Sequence, residues 1–425
     1  MTTASEDVRD VAIIGFGFGG LMVLANLVRL ATRPMRIAVL SPDLSGHGLA
    51  YSTRNPLHLL NVPVFNMSAW AHAQPDFVQW LATPAAVQAQ QELVLAALPG
   101  PQDFAPRALY AHYLTHLKNH ALAQVEKKSI HIDMLQQSVQ QMQWKNDGWI
   151  LDGIIAAREV VLATGNEVKP FQQNPWTLTQ AQVDNFGSRP IAIIGSGLTA
   201  IDTILTLRSM GYAGTITAFS YHGQLPQPHR RNVPPYTYDV GALYAQRSWS
   251  ALMHFVREAA RNAADWRSAV DALRPHTQAL WQQLSPREQL RAARRLGTVW
   301  NNYRHRMAPE IDVRIQQEIA ARKLRIIASH QALREAEALA PACILNCTGP
   351  QMDWEKSGQP LLQQLLRDGR CIPHPTRLGA VADAQYRVGE HLHAIGSLMI
   401  GQFWESVAVP ELRVQAARIA ETLCS

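Results

Sequence analysis

The segment VAIIGFGFGG at residues 11–20, followed by the apolar, turn-free run of residues 21–30, decides the fold at the start of this chain. The apolar residues predict a buried strand, the glycines a tight turn, and the run after them a helix. Gly15 permits the turn, Gly17 lets a phosphate approach the backbone, and Gly20 lets the helix pack closely on the strand. The first N–H groups of such a helix bind phosphate, so the segment predicts a dinucleotide site. Its candidate contacts are Gly15, Gly17, Gly19 and Gly20.

The same stretch has an alternative interpretation, because residues 11–28 carry no charged side chain. A membrane helix or a secretory signal would also be apolar over this length. The clustered glycines would break a membrane helix, no basic segment or small-residue cleavage site flanks the stretch, and Glu6 and Asp7 precede it. We therefore expect a globular protein with no membrane association.

Length and composition bound what accompanies the site. The chain has 425 residues, of which 47% are hydrophobic, which is enough for two or three domain cores. Its four cysteines have no CxxC or metal-type spacing, which predicts a reducing, cytoplasmic location and neither a metal site nor a dithiol reductase. The net charge is +6, but the arginines form no tract. We expect no nucleic-acid partner, and an anionic substrate or cofactor accounts for the excess equally well.

A second strand is predicted at residues 35–40. In dinucleotide folds an acidic side chain near the end of this strand accepts hydrogen bonds from the ribose hydroxyls. Here Ser41 occupies the position expected for the acid, and Asp43 follows two residues later. Both are therefore candidates for the ribose contact.

The segment PIAIIGSGLTA at residues 190–200 repeats the strand, glycine turn and helix about 180 residues after the first. Two such units are what a chain needs to hold two dinucleotides, the arrangement for hydride transfer to a flavin. The candidate contacts of the second site are Gly195, Gly197, Thr199 and Ala200. Two strands that end in Thr-Gly are also predicted, at residues 159–165 and 343–349, and the second mirrors the first.

Between these motifs the patterns change twice. Period-two alternation over residues 130–151, with a turn at Asn146-Asp147-Gly148, predicts a small meander. Helical spacing over residues 248–327, with Ser285-Pro286 starting one helix, predicts a helical subdomain. Near its end stand Trp300, Tyr303, Arg304, His305 and Arg306. This group either recognises an anionic substrate or pyrophosphate, or forms a solvated helix face tied to acids such as Glu310 and Asp312.

The segment GHGLAYSTRNPLHLLNVPVFNMSAW, from residue 46 on, resembles a family of FAD/NAD(P)-binding proteins related to flavin-dependent N-hydroxylating monooxygenases. The segments GFGFGG, GSGLTA, RHRMAPE, NCTGP and GSLMIGQFWESVAVPELRVQA extend the resemblance over residues 10–420. It implies FAD at the first site and hydroxylation of a small, amine-like substrate through a C4a-hydroperoxyflavin. It also places the loop of residues 46–67 near the flavin ring. The resemblance further implies that the chain crosses back to the first domain at the Thr-Gly strand end of residues 159–165, and the strand at residues 343–349 mirrors this crossing. The implied contacts are Gly48, Tyr51, Leu60, Asn61, Met67, Thr164, Gly165, Gly349, Gly396, Trp404 and Glu405.

The sequence departs from the family pattern at two places. Such folds usually carry Gly-Asp at the last strand end, where Ser397 follows Gly396 here. They also carry arginines, which pair with an adenosine 2′-phosphate, where Tyr221 and His222 stand. NADH and NADPH therefore both remain open, with Arg230 or Arg231 as alternative partners for that phosphate.

We predict an α/β protein with two Rossmann-like dinucleotide-binding domains, the second inserted in the first. Residues 1–185 and 336–425 form the FAD domain, and residues 186–335 form the NAD(P) domain with the helical segment. The predicted function is an FAD-dependent, NAD(P)H-using oxidoreductase, a monooxygenase acting on a small substrate. An FAD-dependent dehydrogenase or oxidase, or a non-catalytic nucleotide-sensing protein, would carry the same motifs. The sequence identifies no catalytic residue, substrate or oligomeric state.

Overall fold

The computed structural model describes residues 8–73, 75–169 and 173–425, which divide into two compact units. Unit 1 comprises Met1–Arg54, Val62–Glu167 and Gln351–Ser425, and unit 2 comprises Asn55–Asn61 and Val168–Pro350. The insertion of one unit in the other agrees with the prediction, but the boundaries differ from residues 186 and 335. Unit 2 begins earlier and ends later because its sheet recruits residues on both sides, as Gln173 bridges to Leu345. It also includes a short segment that the sequence placed in the first domain.

Unit 1 is built on a sheet around its first strand. Its elements are β1 (Val8–Ile14), α1 (Phe18–Leu30), β2 (Met35–Leu40), α2 (Gly48–Tyr51), α3 (Asp76–Leu81), α4 (Pro84–Glu92), α5 (Arg107–Leu122), β3 (Ile130–Leu135), β4 (Met142–Lys145), β5 (Gly148–Leu151), β6 (Ile155–Leu162) and, after unit 2, α15 (Pro360–Arg367), β11 (Arg387–Gly389), β12 (Leu392–Ala394) and α16 (Val409–Cys424). The strand order is β11-β12-β6-β1-β2-β3, with β5 pairing both β4 and β6. Strand β1 runs parallel to β2 and β6, and α1 packs against α16 and α5.

The predicted meander is only partly correct. Strands β4, β5 and β6 pair antiparallel, and the left-handed residues Asn146 (φ 53°) and Asp147 (φ 57°) form the predicted tight turn. Strand β3 does not belong to it, because it pairs in parallel with β2 along its whole length. A helical connection between β2 and β3 allows parallel pairing, which period-two alternation cannot distinguish from a hairpin.

Unit 2 is built on a parallel sheet with the order β10-β7-β8-β9. Its elements are α6 (Gln180–Phe186), β7 (Ile191–Ile194), α7 (Leu198–Ser209), β8 (Ile216–Ser220), α8 (Val240–Tyr244), α9 (Trp249–Asn262), α10 (Trp266–Ala272), α11 (Thr277–Gln282), α12 (Pro286–Arg304), α13 (Pro309–Ala320), β9 (Leu324–Ala328), α14 (Ala332–Ala338) and β10 (Cys343–Asn346). The prediction that the chain has returned to the first domain by residue 336 is wrong, because β10 pairs with β7.

The predicted helical subdomain of residues 248–327 contains helices α9–α13, and α8 precedes it. The prediction is wrong for residues 324–327, which belong to strand β9 because they pair in parallel with β8. Ser285 caps α12 as predicted, since its hydroxyl accepts a hydrogen bond from the backbone N–H of Glu288 at 3.3 Å. A hydrophobic cluster that includes Tyr238, Leu243 and Leu252 fills the space between these helices. The subdomain therefore has a core of its own beside the parallel sheet of unit 2.

Candidate dinucleotide-binding sites

The first glycine turn leads from β1 into α1. Gly15 has φ +96°, and its N–H donates to the carbonyl oxygen of Leu40 at 2.8 Å. A Cβ at Gly15 would lie 2.4 Å from the carbonyl oxygen of Ala163, and one at Gly20 would lie 2.1 Å from the carbonyl oxygen of Gly15. The ends of β1, β2 and β6 thus meet the start of α1 with no room for a methyl group.

The N-terminus of α1 leaves its positive dipole end available. Gly17 is the N-cap and has no capping side chain, and the first turn has no acidic residue. The predicted loop residue Gly48 lies against this turn, since a Cβ on it would be 2.9 Å from the Cα of Gly17. The neighbouring Gly19 faces the side chain of Ile395. The structure therefore brings Gly15, Gly17, Gly19, Gly20 and Gly48 together.

The Thr-Gly pair after β6 lies beside the same turn. The Oγ1 of Thr164 is buried and has no hydrogen-bond partner among the described residues. Ser397 Oγ donates to the carbonyl oxygen of Gly165 at 2.9 Å, and the N–H of Gly396 donates to Gln415 Oε1 at 2.9 Å. The predicted residues Thr164, Gly165 and Gly396 are therefore neighbours, with Ser397 joining the two strand ends.

Unit 2 repeats this construction. Gly195 has φ +108°, its N–H donates to the carbonyl oxygen of Phe219 at 2.7 Å, and a Cβ on it would lie 2.3 Å from the carbonyl oxygen of Cys347. Gly349, with φ +85°, follows β10 as Gly165, with φ +70°, follows β6 in unit 1. Gly197 is the N-cap of α7, and a Cβ there would meet nothing within 4 Å.

The other two predicted residues of this site follow in the first turn of α7. Ala200 is fully buried, and the carbonyl oxygen of Thr199 accepts a hydrogen bond from Thr203 Oγ1 at 2.7 Å. Cys347 is also buried, which raises the pKa of its thiol to about 12. That thiol is chemically inert near neutral pH.

The two residues predicted to contact the ribose, Ser41 and Asp43, follow the end of β2. Ser41 is buried, and the carboxylate of Asp43 accepts hydrogen bonds from the N–H and hydroxyl of Ser45, at 2.9 and 2.7 Å. The Asp43 carboxylate is thus engaged within its own turn. Their assignment to the ribose stays a prediction.

The loop predicted to approach the flavin divides between the two units. In unit 1 the rings of Tyr51 and Tyr110 lie 4.9 Å apart, and the Tyr110 hydroxyl donates to the carbonyl oxygen of the buried Met67 at 2.9 Å. Leu60 and Asn61 belong to unit 2 instead, where the Asn61 carbonyl oxygen lies 3.0 Å from His229 Nε2. Assigning both to the first domain was wrong, because residues 55–61 make their contacts with unit 2.

Two predicted contacts precede α16. Trp404 is half-buried, whereas Glu405 is buried and has the left-handed φ of +64°. A buried carboxylate on a strained backbone is a feature that functional sites often carry. Their contact with a flavin stays a prediction.

Sequence reasoning missed a group of hydrogen bonds made by Glu167, near the points where the chain leaves and re-enters unit 1. We call this group the Glu167 clasp. Glu167 accepts hydrogen bonds from Ser357 Oγ at 2.5 Å and from the N–H of Gly358 at 2.6 Å. Its carbonyl oxygen accepts from the N–H of Gln351 at 2.8 Å. A cleft lined by Gly165, Glu167, Trp354 and Ser397 adjoins it. No local sequence pattern predicts the Glu167 clasp, because Glu167 and its partners are distant in the chain.

Two general features follow from the described residues. Across residues 8–73, 75–169 and 173–425, no helix combines the length and hydropathy that a membrane crossing needs. The same residues contain no group of His, Cys, Asp or Glu side chains that could hold a metal ion.

Comparison with known proteins agrees with this geometry. Residues 12–167 match the family described as FAD-NAD(P)-binding, while no curated protein matches the sequence. The ornithine N-hydroxylase of Kutzneria sp. 744, whose structure holds reduced FAD, NADP+ and L-ornithine, superposes with a TM-score of 0.59 at 13% identity, covering 98% of this chain and 99% of that one. This chain therefore shares the fold of that ornithine N-hydroxylase.

Further solved structures share this fold. The reduced ornithine hydroxylase PvdA from Pseudomonas aeruginosa has a TM-score of 0.58 at 14% identity, covering 98% of this chain and 99% of that chain. The L-lysine 6-monooxygenase from Pseudomonas syringae has a TM-score of 0.57 at 16% identity, with coverages of 98% and 99%. These likenesses confirm the predicted fold class, and the family match over residues 12–167 supports the resemblance drawn from the sequence.

Proposed function

We propose that this protein is an FAD-dependent oxidoreductase that takes electrons from a nicotinamide dinucleotide and hydroxylates a small, amine-bearing substrate with molecular oxygen. The observation that carries the proposal is the repeated construction of the two units. In each, a glycine turn ends against the carbonyl that precedes a Thr-Gly pair, at Gly15 with Ala163 and at Gly195 with Cys347. Two dinucleotide sites in one chain suit transfer of a hydride from one coenzyme to the other.

Unit 1 fits FAD. The uncapped start of α1 at Gly17 offers backbone N–H groups to a diphosphate, and the glycines leave room for the backbone to approach it. Thr164 contributes a buried hydroxyl that needs a partner. Bound there, FAD supplies the redox and oxygen chemistry, while the protein orients it and excludes water.

Unit 2 fits a nicotinamide dinucleotide, and its side chains favour NADH. Gly197 is the N-cap of α7, and the second strand of the unit, β8, is followed by Tyr221, which is 61% exposed. The rings of His330 and His222 lie edge-on to Tyr221, at 4.2 and 4.8 Å. This edge presents aromatic groups at the position where an NADPH site places a guanidinium.

The arginines suggested as substitutes are engaged elsewhere. Arg230 pairs with Asp265 at 3.2 Å, and Arg231 pairs with Glu310. Moving either toward a 2′-phosphate would break its ion pair. We therefore expect a kcat/KM for flavin reduction at least tenfold higher with NADH than with NADPH. A tenfold ratio corresponds to about the free energy of one charge-assisted hydrogen bond. Equal values would contradict this preference.

One experiment tests the proposed function. The purified protein is examined for flavin absorbance, reduced anaerobically with NADH or NADPH, and then mixed with oxygen in the presence of small amines such as L-ornithine and L-lysine. Formation of a hydroxylated amine supports the monooxygenase. Rapid reoxidation in a single phase with only hydrogen peroxide as product identifies an oxidase. Bound flavin that neither nicotinamide reduces identifies a nucleotide-sensing protein, and a colourless protein that refuses FAD refutes the proposal.

We further propose a reducing, cytoplasmic location. All four cysteines, Cys343, Cys347, Cys371 and Cys424, are free thiols. Disulfides form and persist in oxidising compartments, so a chain that leaves its cysteines unpaired suits a reducing one. Fractionation of the native host, followed by immunoblotting, tests this location.

A further inference from the structure

Arg306 is a buried guanidinium in unit 2 whose hydrogen-bonding capacity is only partly used. Its side chain is 2% exposed, so the interpretation of a solvated helix face is wrong for this residue. Its Nη2 lies 2.5 and 2.6 Å from the two carboxylate oxygens of Asp271. Its Nε and Nη1 have no partner in the part of the chain that the structure describes. Buried N–H groups of a permanently charged side chain are costly to leave unpaired.

The backbone holds Arg306 beside His229. The N–H of Met307 donates to the carbonyl oxygen of Gln227 at 3.0 Å, and the N–H of His229 donates to the carbonyl oxygen of Met307 at 2.9 Å. The indole of Trp266 lies 5.7 Å from the guanidinium carbon, within the range of a cation–π interaction. The position of the guanidinium is therefore fixed before any ligand arrives.

A structural arginine in the same unit behaves differently. Arg208, whose side chain is 16% exposed, uses every nitrogen. Its Nε donates to Glu318 at 2.8 Å, and its Nη groups donate to the carbonyl oxygens of Tyr212, Gly214 and Lys323. Arg306 is buried more deeply, and two of its nitrogens still have no acceptor among the residues that the structure describes. An ion pair that serves folding alone does not account for this.

Charge near Arg306 is also unbalanced. Asp265 faces two guanidinium groups, those of Arg230 at 3.2 Å and Arg267 at 3.3 Å. The imidazole of His229 carries no charge near neutral pH, because burial, reinforced by the Arg306 charge, lowers its pKa to about 4. Within these ion pairs of described residues, the three guanidinium groups of Arg230, Arg267 and Arg306 share two carboxylates, those of Asp265 and Asp271. An anionic group would restore the balance.

We propose that Arg306 binds an oxyanion, the carboxylate or phosphate of a small ligand, through an N–H group of Nε or Nη1, the two nitrogens that lack an acceptor among the described residues. An N–H group of a guanidinium forms a strong, charge-assisted hydrogen bond with such an anion. The side chain of Asp271 is 49% exposed, so the ion pair is open to solvent on that partner's side. The source of the anion rests on the proposed function: it is either the substrate's carboxylate or a phosphate of the nicotinamide dinucleotide.

The test is a thermal-unfolding titration of the holoenzyme with sodium acetate and, separately, sodium phosphate, at constant ionic strength and near-neutral pH. A ligand that binds only the folded state gives a saturable rise in Tm, which we expect for the wild type. Arg306→Lys keeps the charge but loses the planar donors, and we expect its half-saturating anion concentration to rise at least tenfold. Arg208→Lys is the matched control: its Tm falls, but its half-saturation stays at the wild-type value.

Either of two results overturns the anion site. One is a wild-type Tm that rises only linearly with anion, as a general salt effect does. The other is an Arg306→Lys variant that titrates like the wild type. If this variant does not fold, the wild-type curve still decides the question.

Anaerobic flavin reduction then identifies the source of the anion. If the anion is a dinucleotide phosphate, acetate and the Arg306→Lys change both raise the KM for NADH. If it is a substrate carboxylate, neither changes that KM. A wild-type flavin that is not reduced at all refutes the proposed function, whereas the anion titration stands or falls without it.

Discussion

Replacing Gly197 separates nucleotide binding from folding in unit 2. Gly197 has an extended backbone, φ −77° and ψ −169°, and a Cβ there would meet nothing within 4 Å. Alanine at this N-cap loses helix stability but also restricts the unfolded chain. These effects oppose each other and leave a net change within about 1 kcal/mol. If a dinucleotide phosphate approaches this backbone, the methyl group obstructs it, and we expect the Kd for NADH to rise at least tenfold, about 1.4 kcal/mol.

Gly195 is the comparison, because it differs from Gly197 both in its backbone conformation and in the space available for a Cβ. Its φ of +108° is strained for alanine, and a Cβ would lie 2.3 Å from the carbonyl oxygen of Cys347. The backbone strain and the displacement of that carbonyl together cost about 3–5 kcal/mol. For a unit of this size we expect the Tm of Gly195→Ala to fall by about 6–20 °C.

Circular dichroism melts and anaerobic stopped-flow reduction of the flavin, with NADH varied, measure both effects on the same preparations. Gly197→Ala should melt within a few degrees of the wild type and reduce slowly at low NADH. A wild-type dependence on NADH in Gly197→Ala would show that no dinucleotide lies over this turn. A wild-type Tm for Gly195→Ala would show that the steric argument is wrong.

Three further changes test single contacts. Thr164→Val removes a buried hydroxyl that has no hydrogen-bond partner among the described residues, so the apoprotein should be no less stable. The Kd of this variant for FAD should rise about tenfold. Thr348→Val is the control: it removes a 2.8 Å hydrogen bond to Asn346 Oδ1 and should leave the affinity for FAD unchanged. Burial raises the pKa of Asp76 from 3.8 to about 6, so the stability it contributes is present below about pH 4 and lost as the pH rises through 6. In urea melts the neutral Asp76→Asn should therefore gain stability relative to the wild type between about pH 5 and 8. Ser285→Ala should cost about 1 kcal/mol in the same assay through loss of the α12 cap; an unchanged midpoint would contradict the capping role.

The sequence predicted those elements whose signals are local. Strand β2 spans Met35–Leu40 as predicted, α12 starts after its Ser285 cap, and the Asn146-Asp147 turn joins β4 to β5. Each of these depends on residues a few positions apart. Propensity and capping act at that range, so the pattern alone contains the information.

The errors concern pairings between distant parts of the chain. Strand β3 joins β2, strand β10 stays with β7, and residues 55–61 join unit 2. The Glu167 clasp reaches Ser357 across 190 residues. An apolar strand can pair with several neighbouring strands equally well. Its actual partner depends on the helices packed on the sheet, which a local sequence pattern does not predict.

The two glycine motifs show what such a pattern establishes and what it does not. Gly15, Gly20 and Gly195 are required by the protein's own packing, because a Cβ at any of them would overlap a carbonyl oxygen of the same unit. Their presence therefore follows from the fold and would persist in a unit that had lost its ligand. The features that packing leaves unexplained are the empty space at Gly197 and the unpartnered hydroxyl of Thr164 among the described residues. Those two positions, rather than the rest of the motif, are where substitution distinguishes a working dinucleotide site from an inherited scaffold.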